Sequence, residues 1–220
     1  MIGSDRSPSP GHPLRRVGIL GGSFDPVHAG HVALATCALA HLQLDEVRWV
    51  PVGQAWQKSR VLTPAEHRVA MVRLATAHEP RFTVDTQEVE RAGPSYTLDT
   101  VRALQAQAAS ESIPTQWYLI IGMDQYRNLP TWNGWQELLE CVHLAVACRD
   151  SETLPNLDLG QVCALPMPPM PVSSTRIRQQ LLAGEDPNSL VPTMVSDAVA
   201  RYIAQHQLYA DRQPPLNGHP

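Results

Sequence analysis

Apolar strands alternate with helical segments along most of this chain, and that order limits its fold more than any other feature. The predicted strands are 17–20, 46–51, 116–121, 143–148 and, more weakly, 161–165, with a further extended segment at 82–90. The predicted helices are 32–42, 64–76, 96–109, 173–184 and 193–206. Parallel strands need long crossover connections, so the alternation predicts an α/β domain with a mainly parallel sheet and helices on both faces.

The composition is typical of one globular domain. With 220 residues, of which 43% are apolar and 17% charged, the chain can build a single core. We predict one domain at 15–210. The proline-, serine- and glycine-rich ends predict a disordered tail at 1–14 and a flexible tail at 211–220. No apolar run is long enough to span a bilayer, so we expect no membrane partner.

The charge and the cysteine content of the chain indicate which ligands and which redox compartment to expect. The formal net charge of -4 gives no general attraction to nucleic acid, so a phosphate ligand must be held by a few local groups. The four cysteines lack C-x-x-C spacing, and the chain does not start like a secretory signal. We therefore expect a reduced, cytoplasmic protein, and the sequence leaves homo-oligomerisation open.

A glycine turn follows the first predicted strand. Gly21, Gly22, Ser23 and Phe24 lie where this strand leads into a helix, and backbone N–H groups at a helix start favour an anion. The spacing matches neither the G-x-G-x-x-G dinucleotide fingerprint nor the phosphate loop of P-loop NTPases. A phosphate cradle and a plain tight turn both fit this segment.

Two histidines come directly after this turn. His28 and His31 are three residues apart at a helix start, so both rings can face one side and donate N–H groups to phosphate oxygens. Two other interpretations stay open. One histidine caps the helix while the other packs in the core, or Asp25 joins both histidines in a metal site. Pro26 weighs against the metal site, because it leaves the direction of the Asp25 carboxylate undetermined.

The segment G-G-S-F-D-P-V-H-A-G-H at 21–31 resembles the H-x-G-H signature of the nucleotidyltransferase superfamily. Later segments sharpen this to a resemblance to bacterial nicotinate-nucleotide adenylyltransferases. They are G-P-S-Y-T-L-D-T at 93–100, I-G-M-D at 121–124 with P-T-W at 130–132, and V-S-S-T-R-I-R at 172–178. These segments stand in the family's order, and the resemblance covers 17–209, which implies a single Rossmann-like domain.

The resemblance implies a reaction. The phosphate of nicotinic acid mononucleotide attacks the α-phosphorus of ATP, which gives nicotinic acid adenine dinucleotide, a precursor of NAD, and pyrophosphate. The second pKa of a phosphate monoester is about 6, so the nucleophile is already mostly dianionic and needs no general base. Positioning and charge neutralisation then carry the catalysis. Both substrates are small molecules, and Mg²⁺ is expected to bind through the ATP phosphates rather than through protein ligands.

The resemblance also implies residue roles around the triphosphate. The residues expected to hold it are His28, His31, Gly21, Gly22, Ser23, Phe24, Ser174 and Thr175. His31 is expected to contribute most to catalysis. Lys58, in a loop at 53–62, and Arg178, one turn into a late helix, are expected to neutralise the departing pyrophosphate.

A second set of residues is implied around the mononucleotide: Ser95, Tyr96, Thr97, Gly122, Asp124 and Trp132. The segment 95–97 is a helix start, which favours a carboxylate over a neutral amide and so nicotinate over nicotinamide. Trp132 offers a flat apolar face to the pyridine ring, and Asp124 can accept hydrogen bonds from ribose hydroxyls.

One loop departs from the family pattern. Many members have consecutive prolines and a histidine before the lysine, where this chain has G-Q-A-W-Q-K at 53–58. Two other functions also stay open: adenylyl transfer to nicotinamide mononucleotide or phosphopantetheine, and a catalytically silent nucleotide-binding protein. The 95–97 segment and Trp132 argue against the first alternative, and retention of His31 and Arg178 argues against the second.

Overall fold

The structure, a computed structural model, describes residues 14–54, 61–148 and 161–210. Its strands are β1 (Arg15–Gly22), β2 (Glu46–Pro51), β3 (Phe82–Val84), β4 (Thr115–Gly122), β5 (His143–Cys148) and β6 (Val162–Pro166). Its α-helices are α1 (Ala29–His41), α2 (Ala65–Thr76), α3 (Gln87–Glu90), α4 (Thr97–Ser110), α5 (Met123–Asn128), α6 (Trp135–Cys141), α7 (Ser174–Leu182) and α8 (Asp197–Gln205). Apart from Leu14, the two predicted tails lie outside the described residues.

The six strands form one sheet in the order β3-β2-β1-β4-β5-β6, and every neighbouring pair is parallel. This confirms the predicted α/β class and replaces "mainly parallel" with parallel throughout the described strands. The strand order reverses between β1 and β4. In doubly wound sheets ligands bind at such a point, beyond the carboxyl ends of the strands. Here those ends are Gly22 and Gly122.

Apolar layers cover both faces of the sheet, as predicted. Along β4, Tyr118 and Ile120 pack with α1, α2, α7 and α8, whereas Trp117, Leu119 and Ile121 pack with α4, α5 and α6. Successive strand residues point to opposite faces, so one buried strand serves both layers. Among the described helices, none is both long and apolar enough to cross a membrane.

The prediction that 82–90 forms a single extended stretch is wrong. The strand ends at Val84, and the short helix α3 begins at Gln87. Asp85 causes the change, because its Oδ1 accepts a hydrogen bond from the Gln87 backbone N–H at 3.0 Å. Short polar side chains that bond to nearby backbone in this way compete with strand pairing. Glu88 is thereby placed on a helix that faces the sheet's carboxyl edge.

Helix starts also differ in detail from the predictions. The last helix begins at Asp197 rather than near 193, because Ser196 Oγ accepts a hydrogen bond from Val199 N at 3.4 Å. The predicted proline at the first position of α2 instead precedes that helix, which begins at Ala65. Ser173 caps α7 as predicted, because its Oγ accepts a hydrogen bond from Arg176 N at 3.2 Å.

Candidate active site

A cavity of about 1110 Å³ opens where β1 and β4 end. Most of the residues predicted for the two substrates line it together. They are Gly21, Gly22, Ser23, His28, His31, Ser95, Tyr96, Thr97, Gly122, Asp124 and Trp132. The segment 167–172, which follows β6, and Glu88 form further parts of its wall. Distant segments of the chain therefore meet at the point that the strand order selects.

The glycine turn approaches the cavity with its backbone. Among the described residues, no atom lies within 4 Å of a Cβ added to Gly21, whereas a Cβ added to Gly22 would lie 3.0 Å from the Phe24 ring. Phe24 has a φ of 46° and its side chain is buried. Its ring lies in the core beneath the turn, 5.1 Å from the His31 ring in an edge arrangement. The Phe24 side chain is therefore a core residue, and its predicted role at the triphosphate, through the loop N–H groups near it, stays a prediction.

The two histidines are stacked, with ring centroids 3.7 Å apart and an angle of 26° between the planes. His28 is the N-cap residue of α1, and its backbone N–H donates a hydrogen bond to His31 Nδ1 at 3.2 Å. His31 thus contributes to capping as one of the interpretations expected, but both rings line the cavity, so neither histidine is only a core residue. Because Nδ1 of His31 is an acceptor, a neutral His31 carries its hydrogen on Nε2.

Burial changes the acid–base behaviour of His28. It lowers the pKa of His28 from its ordinary value of 6.5 to about 4, because the charged ring loses hydration. His28 is therefore neutral at pH 7. A Cβ added at Gly30 would lie 3.2 Å from the His28 ring and from Val172, so this position needs the smallest residue for the ring to keep its place.

The Asp25 carboxylate bonds to distant parts of the chain. Its carboxylate is fully buried and accepts hydrogen bonds from the Tyr209 hydroxyl at 2.7 Å and from Thr63 N at 3.4 Å. The metal interpretation of Asp25, His28 and His31 is therefore wrong in its geometry. No group of three or more potential metal ligands occurs in the part of the chain that the structure describes.

The start of α7 packs against the turn rather than on the cavity wall. Ser174 Oγ donates a hydrogen bond to the Pro26 carbonyl at 2.9 Å. The Arg178 guanidinium donates one to the Asp25 carbonyl at 2.7 Å and one to Thr175 Oγ1 at 3.2 Å. Of the described residues that line the cavity, none is Ser174, Thr175 or Arg178. These three predicted residues are thus next to the site, and they hold the turn from behind.

Arg68 is a supporting residue that the sequence analysis missed. Arg68 is 2% exposed, and its guanidinium donates hydrogen bonds to the Ser23 carbonyl at 2.9 Å and to the Thr63 carbonyl at 2.8 Å. The turn therefore has a buried positive charge beneath it. In the sequence Arg68 appears as an ordinary helix residue, and only its long-range partners reveal its role.

The start of α4 forms the opposite part of the cavity. Tyr96 is its N-cap residue, and the Tyr96 side chain makes no capping hydrogen bond to the helix. Ser95 Oγ accepts hydrogen bonds from the N–H groups of Gly53 and Gln54 at 3.2 and 3.3 Å. The backbone of Gly53 packs so closely on the Glu88 carbonyl that an added Cβ would lie 1.9 Å from that oxygen. The described beginning of the loop 53–62 is therefore tied to α3 and α4, while Lys58 lies outside the described residues.

Glu88 is the second residue that the sequence analysis missed. It is buried, it lines the cavity, and its Oε1 accepts a hydrogen bond from Thr100 Oγ1 at 2.6 Å. Burial raises the pKa of this carboxyl group, while hydrogen bonds from Thr100 and Ser95 act in the opposite direction. The available signal was the Asp-Thr pair at 85–86, which is typical of a helix start and would have placed Glu88 on a helix.

Two other predicted residues occupy the cavity wall near the end of β4. Asp124 folds back over Gly122, so that a Cβ added to the glycine would lie 2.8 Å from Asp124 Oδ1. Trp132 packs against the core beside Trp135, but only Trp132 of this pair lines the cavity. The core-packing and ligand-stacking interpretations of Trp132 are therefore compatible.

Comparison with known proteins identifies the family. A family model described as cytidylyltransferase-like matches residues 19–180. A protein of Methylibium petroleiphilum named "Probable nicotinate-nucleotide adenylyltransferase" is 52% identical over 213 residues, which cover 94% of this chain and 97% of that protein. The chain belongs to the nicotinate-nucleotide adenylyltransferase family. A relative from Bordetella avium with the same name is 42% identical and covers 89% of this chain and 98% of its own length.

Solved structures agree at the level of the fold. The Plasmodium falciparum nicotinic acid mononucleotide adenylyltransferase complexed with APC has a TM-score of 0.71 at 18% identity, covering 89% of this chain and 97% of that chain. The same enzyme complexed with NaAD has a TM-score of 0.69. This nicotinate-nucleotide adenylyltransferase family member is thus a nucleotidyltransferase with a Rossmann-like fold.

Proposed function

We propose that this chain transfers the adenylyl group of ATP to nicotinic acid mononucleotide, which gives nicotinic acid adenine dinucleotide and pyrophosphate in NAD biosynthesis. The observation that carries the proposal is the shared cavity. One side of this cavity is formed by the segment 21–31 at the end of β1, which we call the histidine turn. The start of α4 borders the same space. A phosphate-binding element and a carboxylate-binding element are thereby held in reach of one dinucleotide.

The reaction needs little covalent chemistry from the protein. An oxygen of the mononucleotide phosphate forms a bond to the α-phosphorus of ATP, and the bond from that phosphorus to the bridging oxygen breaks. Pyrophosphate leaves with the electron pair. Because the attacking phosphate is mostly dianionic at pH 7, no group has to remove a proton from it. The protein has to align the reactants and stabilise charge on the phosphate oxygens.

His31 is the residue to which we assign most of that stabilisation. Its Nδ1 is occupied by the His28 backbone N–H, so Nε2 is the nitrogen that donates to a phosphate oxygen. The stacked His28 ring and the edge of Phe24 limit the rotation of this imidazole. Donors that are already oriented need no reorganisation as charge develops.

Behind the turn, Arg178 and Arg68 supply positive charge and hold its carbonyl groups. We propose that Arg178, with Ser174 and Thr175, acts on the triphosphate by keeping the turn in place. Lys58 keeps its proposed role, neutralising pyrophosphate from the loop 53–62. The described start of that loop is joined to Ser95, so acceptor binding and the loop share a hydrogen-bonded contact.

Acceptor selection is assigned to the start of α4. A helix leaves its first N–H groups without intrahelical partners, and their partial positive charge favours the nicotinate carboxylate. Tyr96 and Thr97 belong to this start, whereas Ser95 contributes by holding the neighbouring loop. Trp132 would stack on the pyridine ring, and Asp124, beside Gly122, would accept hydrogen bonds from the ribose.

Mg²⁺ fits this arrangement as a phosphate-bound ion. We propose that Mg²⁺ binds through the ATP phosphates and water rather than through protein ligands, as is common for this ion. When bound, it supplies charge neutralisation to the triphosphate. We also propose a cytoplasmic location, in line with the four cysteines, all within the described residues, of which none forms a disulfide.

The test is pyrophosphate release from ATP by the purified protein, with nicotinic acid mononucleotide and, separately, nicotinamide mononucleotide as the acceptor. We expect kcat/KM to be higher for the nicotinate form by about tenfold or more, since a charge at a helix start contributes up to about 2 kcal/mol. Equal values would contradict the carboxylate argument. Absence of release with either acceptor would contradict the function itself.

A further inference from the structure

Asp25 joins parts of the chain that are far apart in sequence. The Tyr209 hydroxyl donates to its Oδ1 at 2.7 Å, and the Thr63 N–H donates to its Oδ2 at 3.4 Å. Its backbone carbonyl accepts a hydrogen bond from Arg178 at 2.7 Å. Asp25 itself is fully buried and lies three residues before His28. Any change in its position is therefore transmitted to the start of α1, where both histidines lie.

Tyr209 reaches this residue by an unusual path. The chain leaves α8 after Gln205, and Gln207 and Tyr209 both adopt left-handed backbone conformations, with φ of 49° and 65°. Leu208 and Tyr209 pack against the apolar layer on that face of the sheet. Non-glycine residues in this conformation are uncommon and persist where surrounding contacts hold them. Here the contact at the end of the path is the buried carboxylate.

The hydrogen bond between Tyr209 and Asp25 joins a protonated phenol to an ionised carboxylate. Burial, together with the charge of Asp25, raises the pKa of Tyr209 well above its ordinary value. The hydroxyl therefore stays protonated and donates over the whole working pH range. A hydrogen bond to a charged group is stronger than one between neutral groups.

A second contact from the C-terminal part of the chain supports the start of α1. The Met194 carbonyl accepts a hydrogen bond from Ala29 N at 2.8 Å, so the segment before α8 holds the first residue of α1. The segment after α8 holds Asp25 through Tyr209. The two contacts flank the Pro26-Val27-His28 stretch, and Val27 between them is fully buried.

We propose that Tyr209 is a positioning residue for adenylyl transfer, whose hydrogen bond to Asp25 keeps the histidine turn in its catalytic geometry. The proposal rests on the function proposed above. Tyr209 does not line the cavity among the described residues, so it acts through Asp25 and the histidines rather than on the substrates. A displacement of about 1 Å at a catalytic donor is enough to lower a rate about a hundredfold.

The test compares Tyr209→Phe with Tyr202→Phe in the full-length protein. Each change removes one hydroxyl from the C-terminal part of the chain, and the Tyr202 hydroxyl contacts His67 at 2.9 Å instead of the turn. We expect Tyr209→Phe to lower kcat about 10- to 100-fold, with the KM values for both substrates changed less than threefold. Tyr202→Phe is expected to keep kcat within twofold of the wild type.

A double-mutant cycle with His31→Ala separates a positioning role from a structural one. If Tyr209 acts through His31, the double variant has a kcat less than threefold below that of His31→Ala alone. The proposal is overturned if Tyr209→Phe alone keeps kcat within twofold of wild type, if Tyr202→Phe loses as much, or if the full loss persists in the His31→Ala background.

Folding is checked by circular dichroism and thermal unfolding at the assay temperature. If Tyr209→Phe is unfolded there, Asp25→Asn tests the same hydrogen bond from its other end, because it weakens the bond without leaving a buried charge that has lost a donor. We expect Asp25→Asn to lower kcat about 10-fold and the added Tyr209→Phe change to lower it by less than threefold more. The proposal is overturned if Asp25→Asn keeps kcat within twofold of wild type, or if the added change lowers kcat by tenfold or more. A wild type that releases no pyrophosphate would instead contradict the proposed function.

Discussion

Two helix starts with similar sequences, Ser95-Tyr96-Thr97 at α4 and Ser173-Ser174-Thr175 at α7, have different surroundings. At the α4 start the side chain of the N-cap residue, Tyr96, makes no capping hydrogen bond, and this helix start lies on the cavity wall. The α7 start is capped by Ser173, and Ser174 bonds to the Pro26 carbonyl behind the histidine turn. A helix start that keeps its N–H groups for a ligand can select an anion, whereas one whose hydroxyls bond to the protein fixes its neighbour.

This difference assigns separate kinetic roles to the two sides of the cavity. The turn that α7 supports should act mainly on kcat, because its donors meet charge that develops in the transition state. The α4 side should act mainly on acceptor binding and therefore on KM. The variants below test this division, beginning with the one for which we expect the largest effect.

The largest effect is expected from His31→Ala. Loss of one oriented donor lowers kcat by about 100- to 1000-fold, while KM for the acceptor changes little. Steady-state kinetics measure both values, and thermal unfolding checks the fold. His206→Ala, which removes an exposed imidazole from the end of α8, is the matched control. Near-normal turnover of His31→Ala would remove the turn from its catalytic role.

A smaller effect concerns the protonation of His28. Its pKa is about 4 in the folded protein and near 6.5 when unfolded, so the unfolded chain binds more protons between these values. Stability therefore falls as the pH is lowered through this window. From pH 7 to pH 5 we expect the wild type to lose about 1 to 2 kcal/mol more than His28→Asn in urea unfolding. Parallel pH profiles for the two chains would contradict the buried, neutral state of His28.

Trp132→Leu tests the acceptor side. Loss of the aromatic face should raise KM for nicotinic acid mononucleotide about 5- to 10-fold, or about 1 kcal/mol, with kcat and KM for ATP nearly unchanged. Trp135→Leu is the control, because Trp135 packs against the same core without lining the cavity. If both variants behave alike, Trp132 is a core residue rather than a stacking surface.

The smallest effect is expected from Ser173→Ala at the capped start. Loss of the cap should lower the free energy of unfolding by about 1 kcal/mol and leave KM for ATP within twofold. Denaturant unfolding and ATP saturation curves measure the two quantities. A marked rise in KM for ATP with unchanged stability would show that this helix start binds the pyrophosphate portion directly, against the division proposed here.

Residues whose partners are near in sequence were predicted well. The spacing of His28 and His31 placed both at one helix start, because three residues make almost one helical turn. The cap at Ser173 was predicted for the same reason. Arg68, Glu88 and Tyr209 were missed, because each depends on partners that only the packed sheet brings near, such as Ser23, Thr100 and Asp25.

From the sequence alone we predicted the alternation of strands and helices, the capped start of α7 and the family, because these follow from local periodicity, capping chemistry and short motifs. Which helix start borders the cavity could be seen only in the packed fold. The strand order brings the ends of β1 and β4 together, so α4 borders the cavity while α7 is placed behind the turn. A helix start has the same dipole in either place, and its access to a ligand depends on what packs against it.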